Sequence, residues 1–353
     1  MNEKTPFRLP PIEPTNDAAL AARLQHKIDH KTKPLGALGA LEDLALQLGL
    51  IQRSESPALH APQMLVFAAD HGIAAEGVSA YPQAVTVQMV ANMLAGGAAI
   101  NVFSRQHGFA LQVVDAGVAA ELPAHPQLLP RKIAYGTKNL CHEAAMSRSE
   151  AEAALSAGMA VVQALPGNVL ALGEMGIANT SAAALLLARL AGTRIEDATG
   201  RGTGLSDPQL LHKQGVLKLA LARHPASQPL DVLAELAALG GFEIAMMAGA
   251  MLQAASQRRV VLVDGFIAGA AALVAHALVP AVRDYLVFCH RSAETGHRLL
   301  LAQLQAKPLL ELDLRLGEGT GALLAWPLLQ SAANFLNQMA SFESAGISAK
   351  AGE

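Results

Sequence analysis

Short apolar runs that alternate with longer helical segments constrain the fold of this chain more than any other feature. The runs are residues 64–69, 110–114, 169–172, 260–263, 285–288 and 312–316. The segments between them are long enough for right-handed crossover connections, so the pattern predicts an α/β fold with a mostly parallel sheet covered by helices. Residues 132–135 predict one further short strand.

Helical segments without strand signals lie at both ends of the chain. Residues 1–15 are rich in proline and predict an irregular arm; Asn16 is suited to cap a helix through about residue 30, and Pro34 to open a second one. Together with a helix predicted over residues 327–341, they predict a small helical domain, residues 1–60 plus 327–353, beside an α/β domain over residues 61–326. The first two helices are equally suited to a dimer contact.

Composition excludes several classes of protein. Apolar residues make up 52% of the chain and charged residues 16%, and the net charge of -3 has no blocks of one sign, so a nucleic-acid partner is not expected. Cys141 and Cys289 lack the spacing of a disulfide framework or a thiolate metal site. The N-terminal residues lack an apolar signal core, and Asp264 interrupts the longest apolar run. We expect a cytoplasmic protein without a membrane anchor.

Polar, titratable residues follow the predicted strands. In chain order they are Asp70 with His71, Asp115, Glu174, Asp264, His290 and Glu318. Because the carboxyl ends of parallel strands share one edge of a sheet, these side chains are predicted to gather in a single cleft.

Glu318 is the candidate with the clearest local setting. In LDLRLGEGTGA it lies between Gly317 and Gly319, after a run in which Leu312, Leu314 and Leu316 alternate with polar residues. The run predicts a strand with one covered face, and the flanking glycines leave the carboxylate open to an approaching ligand. The alternative is an exposed glutamate in a glycine turn.

The segment after Asp70 combines hydrogen-bonding and aromatic side chains. Ser79, Tyr81 and Gln88, the last on a helix predicted to start at Pro82, are suited to line a pocket for a flat aromatic ligand. The Asp70–His71 pair lacks a third and fourth ligand at recognisable spacing, so no metal is expected.

Two glycine-rich turns predict an anion site. Asn179, Thr180 or Ser181 is suited to cap a helix whose free N–H groups bind phosphate, and Lys213 can reach back to an anion on the GRGTG loop at residues 200–204. The loop is neither a dinucleotide fingerprint nor a Walker motif. For each of these residues, as for His290 and Ser292, a purely structural role is the alternative.

Several long motifs then resemble one family. GEMGIANTSAAAL, GRGTGLSD, LGGFEIAMMAGAML, DGFIAGAAALVA and LRLGEGTGA, preceded by DHGIAAEGVSAYPQ, are similar in content and order to the nicotinate-nucleotide:dimethylbenzimidazole phosphoribosyltransferases of cobalamin lower-ligand assembly. The resemblance runs from about Lys33 to the C-terminal helix. Ala178 and Ser206 depart from it, standing where glycine and aspartate are expected.

The resemblance implies a homodimer with a Rossmann-like six-stranded sheet and a smaller helical domain, and it implies no cofactor. The implied reaction transfers phosphoribose from nicotinate mononucleotide to 5,6-dimethylbenzimidazole. It implies Glu318 as general base and Glu174 beside the ribose and nicotinate. Substrate contacts are implied or expected for Ser79, Tyr81, Gln88, Met175, Gly176, Asn179, Thr180, Gly202, Gly204, Lys213, Asp264, Ser292 and Leu316.

Two other functions remain open from the residues alone. One is a non-catalytic nucleotide binder or sensor using the same cleft, for which an unpaired carboxylate at position 318 has no purpose. The other is a metal-dependent hydrolase built on Asp70, His71, Asp115 and His290. The residues do not identify which benzimidazole, purine or phenol the protein uses.

Overall fold

The computed structural model describes residues 7–348, and its strands form one parallel sheet. The strands are Gln63–Ala69 (β1), Ala110–Gly117 (β2), Leu128–Pro130 (β3), Val169–Met175 (β4), Val260–Val263 (β5) and Leu286–Phe288 (β6). Their order is β3-β2-β1-β4-β5-β6. The predicted Rossmann-like α/β fold is confirmed, and the order reverses between β1 and β4, where such sheets open a crevice for ligands.

Helices cover both faces of this sheet. They are Ala18–Asp29 (α1), Ala40–Gln52 (α2), Val85–Leu94 (α3), Ala99–His107 (α4), Arg148–Gln163 (α5), Asn179–Ala191 (α6), Ile195–Ala198 (α7), Asp207–Arg223 (α8), Val232–Leu239 (α9), Phe242–Ser256 (α10), Phe266–Leu278 (α11), Thr295–Gln303 (α12), Thr320–Gln338 (α13) and Phe342–Ala345 (α14). Short 3-10 helices span Gly72–Glu76 and Pro280–Tyr285.

The core is densest where α10 crosses α5. A Cβ at Gly158 would lie 1.9 Å from the carbonyl oxygen of Met246, and one at Gly249 would lie 2.1 Å from that of Leu155. The two backbones therefore touch, and any larger residue at either glycine would separate them. Met246, Met247 and Met251 are fully buried, as expected for methionines that fill a core.

Two strand predictions were wrong. Residues 312–316 are irregular: Leu312 and Leu316 are 53% and 59% exposed, and the left-handed φ of 53° at Asp313 breaks the extension. The segment runs beside the chain that follows β6, with a bridge between His290 and Leu310 and a hydrogen bond from the N–H of Ala293 to the carbonyl of Leu314 at 2.9 Å. The additional short strand that was expected at residues 132–135 is β3, which ends at Pro130, before those residues.

Several helix boundaries also differ from the predicted ones. Asp17, not Asn16, caps α1, accepting the N–H of Leu20 at 2.9 Å. Residues after Pro34 form turns, and α2 begins only at Ala40; α3 likewise begins after the turn that contains Pro82. Pro327 lies inside α13, which starts at Thr320. Proline and polar caps mark helix starts only by tendency, so neighbouring candidates compete.

The two ends of the described chain meet. The N–H of Thr32 donates to the carbonyl of Ala340 at 3.0 Å, and Lys31 Nζ donates to that of Met339 at 2.6 Å. Helices α1, α2 and α13 pack together, and α13 also packs on α4. The proposed division into residues 1–60 plus 327–353 and residues 61–326 stays a prediction, and its second boundary falls within α13. Residues 1–6 of the predicted arm and residues 349–353 lie outside the described part.

One stretch of the described chain, Val85–His107, is long and apolar enough to cross a membrane by length and composition. It comprises α3 and α4, of 10 and 9 residues, with a turn at Gly96 and Gly97 between them. A bilayer-spanning helix needs about 20 continuous residues, more than either helix provides.

Candidate active site

Polar side chains gather at the carboxyl edge of the sheet, as predicted, but Glu318 reaches it by another route. Asp70 follows β1, Glu174 lies within β4, and Asp264 follows β5. Glu318 does not extend from a strand; it belongs to the turn that starts α13. This turn packs directly on β4, because a Cβ at Gly173 would lie 2.1 Å from the Glu318 carbonyl oxygen.

A cavity of about 800 Å³, including its open mouth, lies above this edge. Most of the predicted site residues line it: Ser79, Glu174, Met175, Gly176, Asn179, Thr180, Gly202, Lys213, Asp264, Ser292 and Leu316. Tyr81 and Gln88 are exposed outside the enclosed part, and Glu318 and Gly204 adjoin wall residues Gly317 and Thr203.

One end of the cavity carries a buried cation. Lys213, on α8, is 1% exposed, and its Nζ donates to Thr180 Oγ1 at 2.8 Å. Burial lowers the pKa of Lys213 to about 8, and the charge of Glu294 partly opposes that shift. The charged form of a lysine this deeply buried is stabilised when an anion binds beside it.

The start of α6 at this end differs from the predicted cap. The capping position is Ala178, with a left-handed φ of 74°, so none of the three polar candidates caps the helix. Asn179 Nδ2 donates to Glu174 Oε2 instead, and Thr180 accepts from Lys213. The glycine expected at position 178 would adopt this φ without strain.

The Glu318 turn is held in an unusual conformation. Gly317, Glu318 and Gly319 have φ values of 82°, 62° and 89°. The Glu318 carboxylate is buried, and its Oε2 accepts the N–H of Ile100, at the start of α4, at 3.3 Å. Burial raises the pKa of Glu318, the Ile100 N–H opposes this, and the charge of Asp264 adds to it. A carboxylate with a raised pKa is a stronger base than an exposed one.

Asp264 anchors this turn. Its Oδ2 accepts the N–H of Gly319 at 3.1 Å, and its Oδ1 accepts that of Ala322 at 3.2 Å. His290 Nε2 lies 3.2 Å from Oδ1. The carboxylate thus ties β5 to the start of α13, where its charge also favours the helix dipole.

Glu174 has a different electrostatic setting from Glu318. Burial raises the pKa of Glu174 to about 8; the hydrogen bond from Asn179 opposes the shift, and the charges of Asp264, Glu243 and Glu318 add to it. Glu174 is therefore mostly a neutral acid at pH 7. A Cβ at Gly317 would lie 2.2 Å from Glu174 Oε1, so the left-handed glycine also makes room for this side chain.

Comparison with known proteins shows which family this chain belongs to. The sequence profile of a phosphoribosyltransferase family matches residues 12–347. The nicotinate-nucleotide--dimethylbenzimidazole phosphoribosyltransferase of Cupriavidus taiwanensis is 63% identical over 346 residues, covering 97% of this chain and 99% of that protein. The chain belongs to this phosphoribosyltransferase family. The enzyme of the same name from Variovorax paradoxus is 59% identical, with 97% of each chain covered.

A solved structure supports the same assignment. The crystal structure of CobT from Thermus thermophilus superimposes on this phosphoribosyltransferase with a TM-score of 0.91 at 46% identity, covering 94% of this chain and 100% of that one. The expectation of a phosphoribosyltransferase enzyme with small-molecule substrates is thus confirmed.

The residues considered for a metal-dependent hydrolase have other partners in this phosphoribosyltransferase. Asp70 Oδ2 accepts the N–H of Ala119 at 2.8 Å, and Asp115 pairs with a lysine. His71 Nε2 lies 2.6 Å from Glu243 Oε1 in a fully buried pair. Within residues 7–348 no group of three or more His, Cys, Asp and Glu side chains is arranged to hold a metal ion.

Other residues of the cavity were missed by the sequence reasoning. Arg201, Phe266, Glu294 and Arg315 line it. Arg201 lies in the GRGTG loop and Arg315 lies three residues before Glu318, so their positions in these motifs could have predicted that they line the cavity. Glu294 follows Ser292 by two residues, but no sequence pattern connects it with the glycine loop almost a hundred residues earlier.

Proposed function

We propose that the protein transfers the phosphoribosyl group of nicotinate mononucleotide to 5,6-dimethylbenzimidazole, giving α-ribazole 5′-phosphate and nicotinate. The observation that carries the proposal is a cavity that is lined by a buried cation, Lys213, and whose wall residue Gly317 is followed directly by a buried carboxylate of raised pKa, Glu318. A binder of phosphate and aromatic rings needs the first group but not the second.

The chemistry needs one base and no acid. The glycosidic nitrogen of nicotinate mononucleotide is cationic and leaves as a neutral pyridine nitrogen, so the leaving group takes no proton. The benzimidazole attacks the anomeric carbon through one ring nitrogen, and its other nitrogen must lose a proton. A single carboxylate suffices, unlike in glycosidases, which use two. Attack opposite the leaving group inverts the β configuration to α.

We assign the benzimidazole to the side of the cavity next to Glu318. Ser79, Tyr81 and Gln88 would contact the ring, with Met175 and Leu316 as apolar walls. The exposed ring of Tyr81 and the exposed Leu316 support this, because an aromatic ligand would cover them.

We assign the mononucleotide to the opposite end. Gly176, Gly202, Gly204 and Lys213 would surround the phosphate, with free N–H groups at the start of α6 as further donors. Thr180 and Asn179 hold Lys213 and Glu174, and neutral Glu174 would donate a hydrogen bond beside the ribose or nicotinate. Ser292, on the cavity wall, would complete the ribose contacts.

Asp264 is better suited to position Glu318 than to bind substrate, since both its oxygens accept backbone N–H groups. Asp264→Asn presents an amide N–H₂ to one of these donors and should loosen the turn. We expect kcat to fall by up to about 100-fold, the loss that a misplacement of about 1 Å can cause, with little change in KM for the mononucleotide. Steady-state kinetics beside the exposed control Asp313→Asn measure this; an unchanged kcat would leave Asp264 without that role.

We further propose a cytoplasmic homodimer that binds neither nucleic acid nor membranes. Leu312 exposes apolar surface on the segment that leads to Leu316 on the cavity wall, and a second copy of the chain could cover it. The absence of single-sign charge blocks supports the lack of a nucleic-acid partner.

Product analysis tests the proposed reaction. Purified protein is incubated with nicotinate mononucleotide and dimethylbenzimidazole, the mixture is separated by chromatography, and the anomeric configuration of the product is read by NMR. We expect nicotinate and the α-anomer in equal amounts. Binding of both compounds without products would instead favour a nucleotide sensor, and a β-anomer would contradict direct displacement.

A further inference from the structure

Glu294 is a buried carboxylate at the cation end of the cavity that none of the steps above uses. It lies just before α12, is 8% exposed, and lines the cavity together with Lys213 and Arg315. Its side chain covers the glycine loop, because a Cβ at Gly200 would lie 2.1 Å from Glu294 Oε2. That oxygen has no hydrogen-bond partner among residues 7–348. Because Glu294 belongs to the cavity wall, a ligand or a proton could offset the cost of leaving this buried oxygen unpartnered.

Two positive charges and one backbone N–H lie near Glu294, each on a different segment of the chain. Lys213 on α8 and Arg315 before α13 are close enough to favour its ionised form, as is the N–H of Gly202. Arg201 also lines the cavity, but its guanidinium pairs with Asp207 and donates to a backbone carbonyl.

The remaining titratable neighbours lie along α12 and the preceding loop. His297 Nδ1 accepts the N–H of Ser292 at 2.8 Å, and burial lowers the pKa of His297 to about 3, so this ring is neutral. The ring of His290 lies 6.2 Å from that of His297 and pairs with Asp264. His297 therefore adds no positive charge beside Glu294, and the ring nitrogen Nε2 of His290 faces Asp264.

A phosphate monoester changes this balance. In the empty site the negative charge of Glu294 partly offsets Lys213 and Arg315. A dianionic phosphate at the same end places two more negative charges beside it, in a site of low dielectric where like charges repel strongly. Burial already raises the pKa of Glu294, and we expect the added anion to raise it further.

We propose, on the basis of the mononucleotide site assigned above, that Glu294 determines phosphate recognition by taking up one proton from solvent when the 5′-phosphate binds. The neutral carboxyl then donates its O–H to a phosphate oxygen, while Lys213 contributes its charge. In the empty site, the ionised carboxylate of Glu294 balances the charge of Lys213, as the phosphate does in the complex. The complex therefore holds one proton that the separated protein and ligand do not.

Calorimetry measures this proton directly. Nicotinate mononucleotide is titrated at pH 7, where a phosphate monoester is mostly a dianion, Lys213 is mostly charged and Glu174 is mostly neutral, in buffers of different ionisation enthalpy. Wild-type protein is expected to take up about one proton per ligand, and Glu294→Gln close to none. Glu311→Gln, an exposed glutamate on the segment that carries Arg315, is the matched control and should behave as wild type.

The pH dependence of binding provides a second readout. Up to about pH 8, wild-type affinity should fall about 10-fold for each pH unit above the pKa of Glu294 in the empty site, whereas Glu294→Gln should lose this dependence. At higher pH both proteins should lose affinity as Lys213 loses its charge, and Glu294→Gln should still bind more tightly than the wild type. Absence of proton uptake by the wild type, or equal uptake by both proteins, would overturn the assignment of the proton to Glu294. Failure of the wild type to bind the mononucleotide at all would instead contradict the proposed function.

Discussion

Glu318→Gln is expected to lower kcat by about 10²- to 10⁴-fold, the range typical of general-base catalysis. Glutamine keeps the size of the side chain and can accept the N–H of Ile100, so the turn should persist, but it cannot take the benzimidazole proton. Both ligands should still bind, since holding them in attack geometry is a separate contribution, worth about 7 to 11 kcal/mol. Turnover equal to that of the wild type would remove Glu318 from the role of base.

The pH profile gives an independent check on the same residue. The base must be ionised, so kcat should fall as the pH drops through the pKa of Glu318. Because burial raises this pKa, the fall should begin at higher pH than for an exposed glutamate. Glu318→Gln should lose this acid limb and retain only the effects of other groups.

Lys213→Ala is expected to raise KM for nicotinate mononucleotide about 10- to 100-fold, as the loss of one charge-assisted hydrogen bond does. KM for dimethylbenzimidazole should change little, because the ring is assigned to the other end of the cavity. The lysine is fully buried and adjoins the glycine loop, where a Cβ at Gly202 would lie 3.7 Å from Nζ. The substitution should therefore weaken mononucleotide binding more than it lowers kcat.

The same helix offers a matched control for this substitution. Lys218 is exposed on α8 and pairs with Glu196 at 2.6 Å, so Lys218→Ala removes a lysine of the same helix without touching the cavity. We expect its kinetics to equal those of the wild type. An unchanged KM in Lys213→Ala, or equal effects of the two substitutions, would contradict a phosphate contact at position 213.

The sheet could be predicted because parallel strands are buried on both faces. β1, β4 and β5 read as continuous apolar runs with a polar residue at or just beyond the carboxyl end. Alternation alone is weaker evidence: Leu312, Leu314 and Leu316 have the period of a strand yet flank a left-handed Asp313 in an irregular segment.

At the candidate site, eleven of the predicted residues line the cavity, but their contacts could not be predicted from the sequence. Asn179 and Thr180 resemble helix caps because capping and long-range hydrogen bonding use the same side chains, and only the fold brings them to Glu174 and Lys213. Asp264 likewise resembles a ligand contact in the sequence, but in the structure its oxygens accept the N–H groups of Gly319 and Ala322. Tertiary packing decides such choices.

A crystal structure with 5,6-dimethylbenzimidazole bound tests the role of Glu318 most directly. The quantity to measure is the distance between a ring nitrogen and the nearer carboxylate oxygen. We predict about 2.6 to 3.2 Å, the reach of a proton transfer, with the other ring nitrogen facing the mononucleotide end. A ring held elsewhere in the cavity, with both nitrogens too far from Glu318 for a direct or single-water contact, would contradict it.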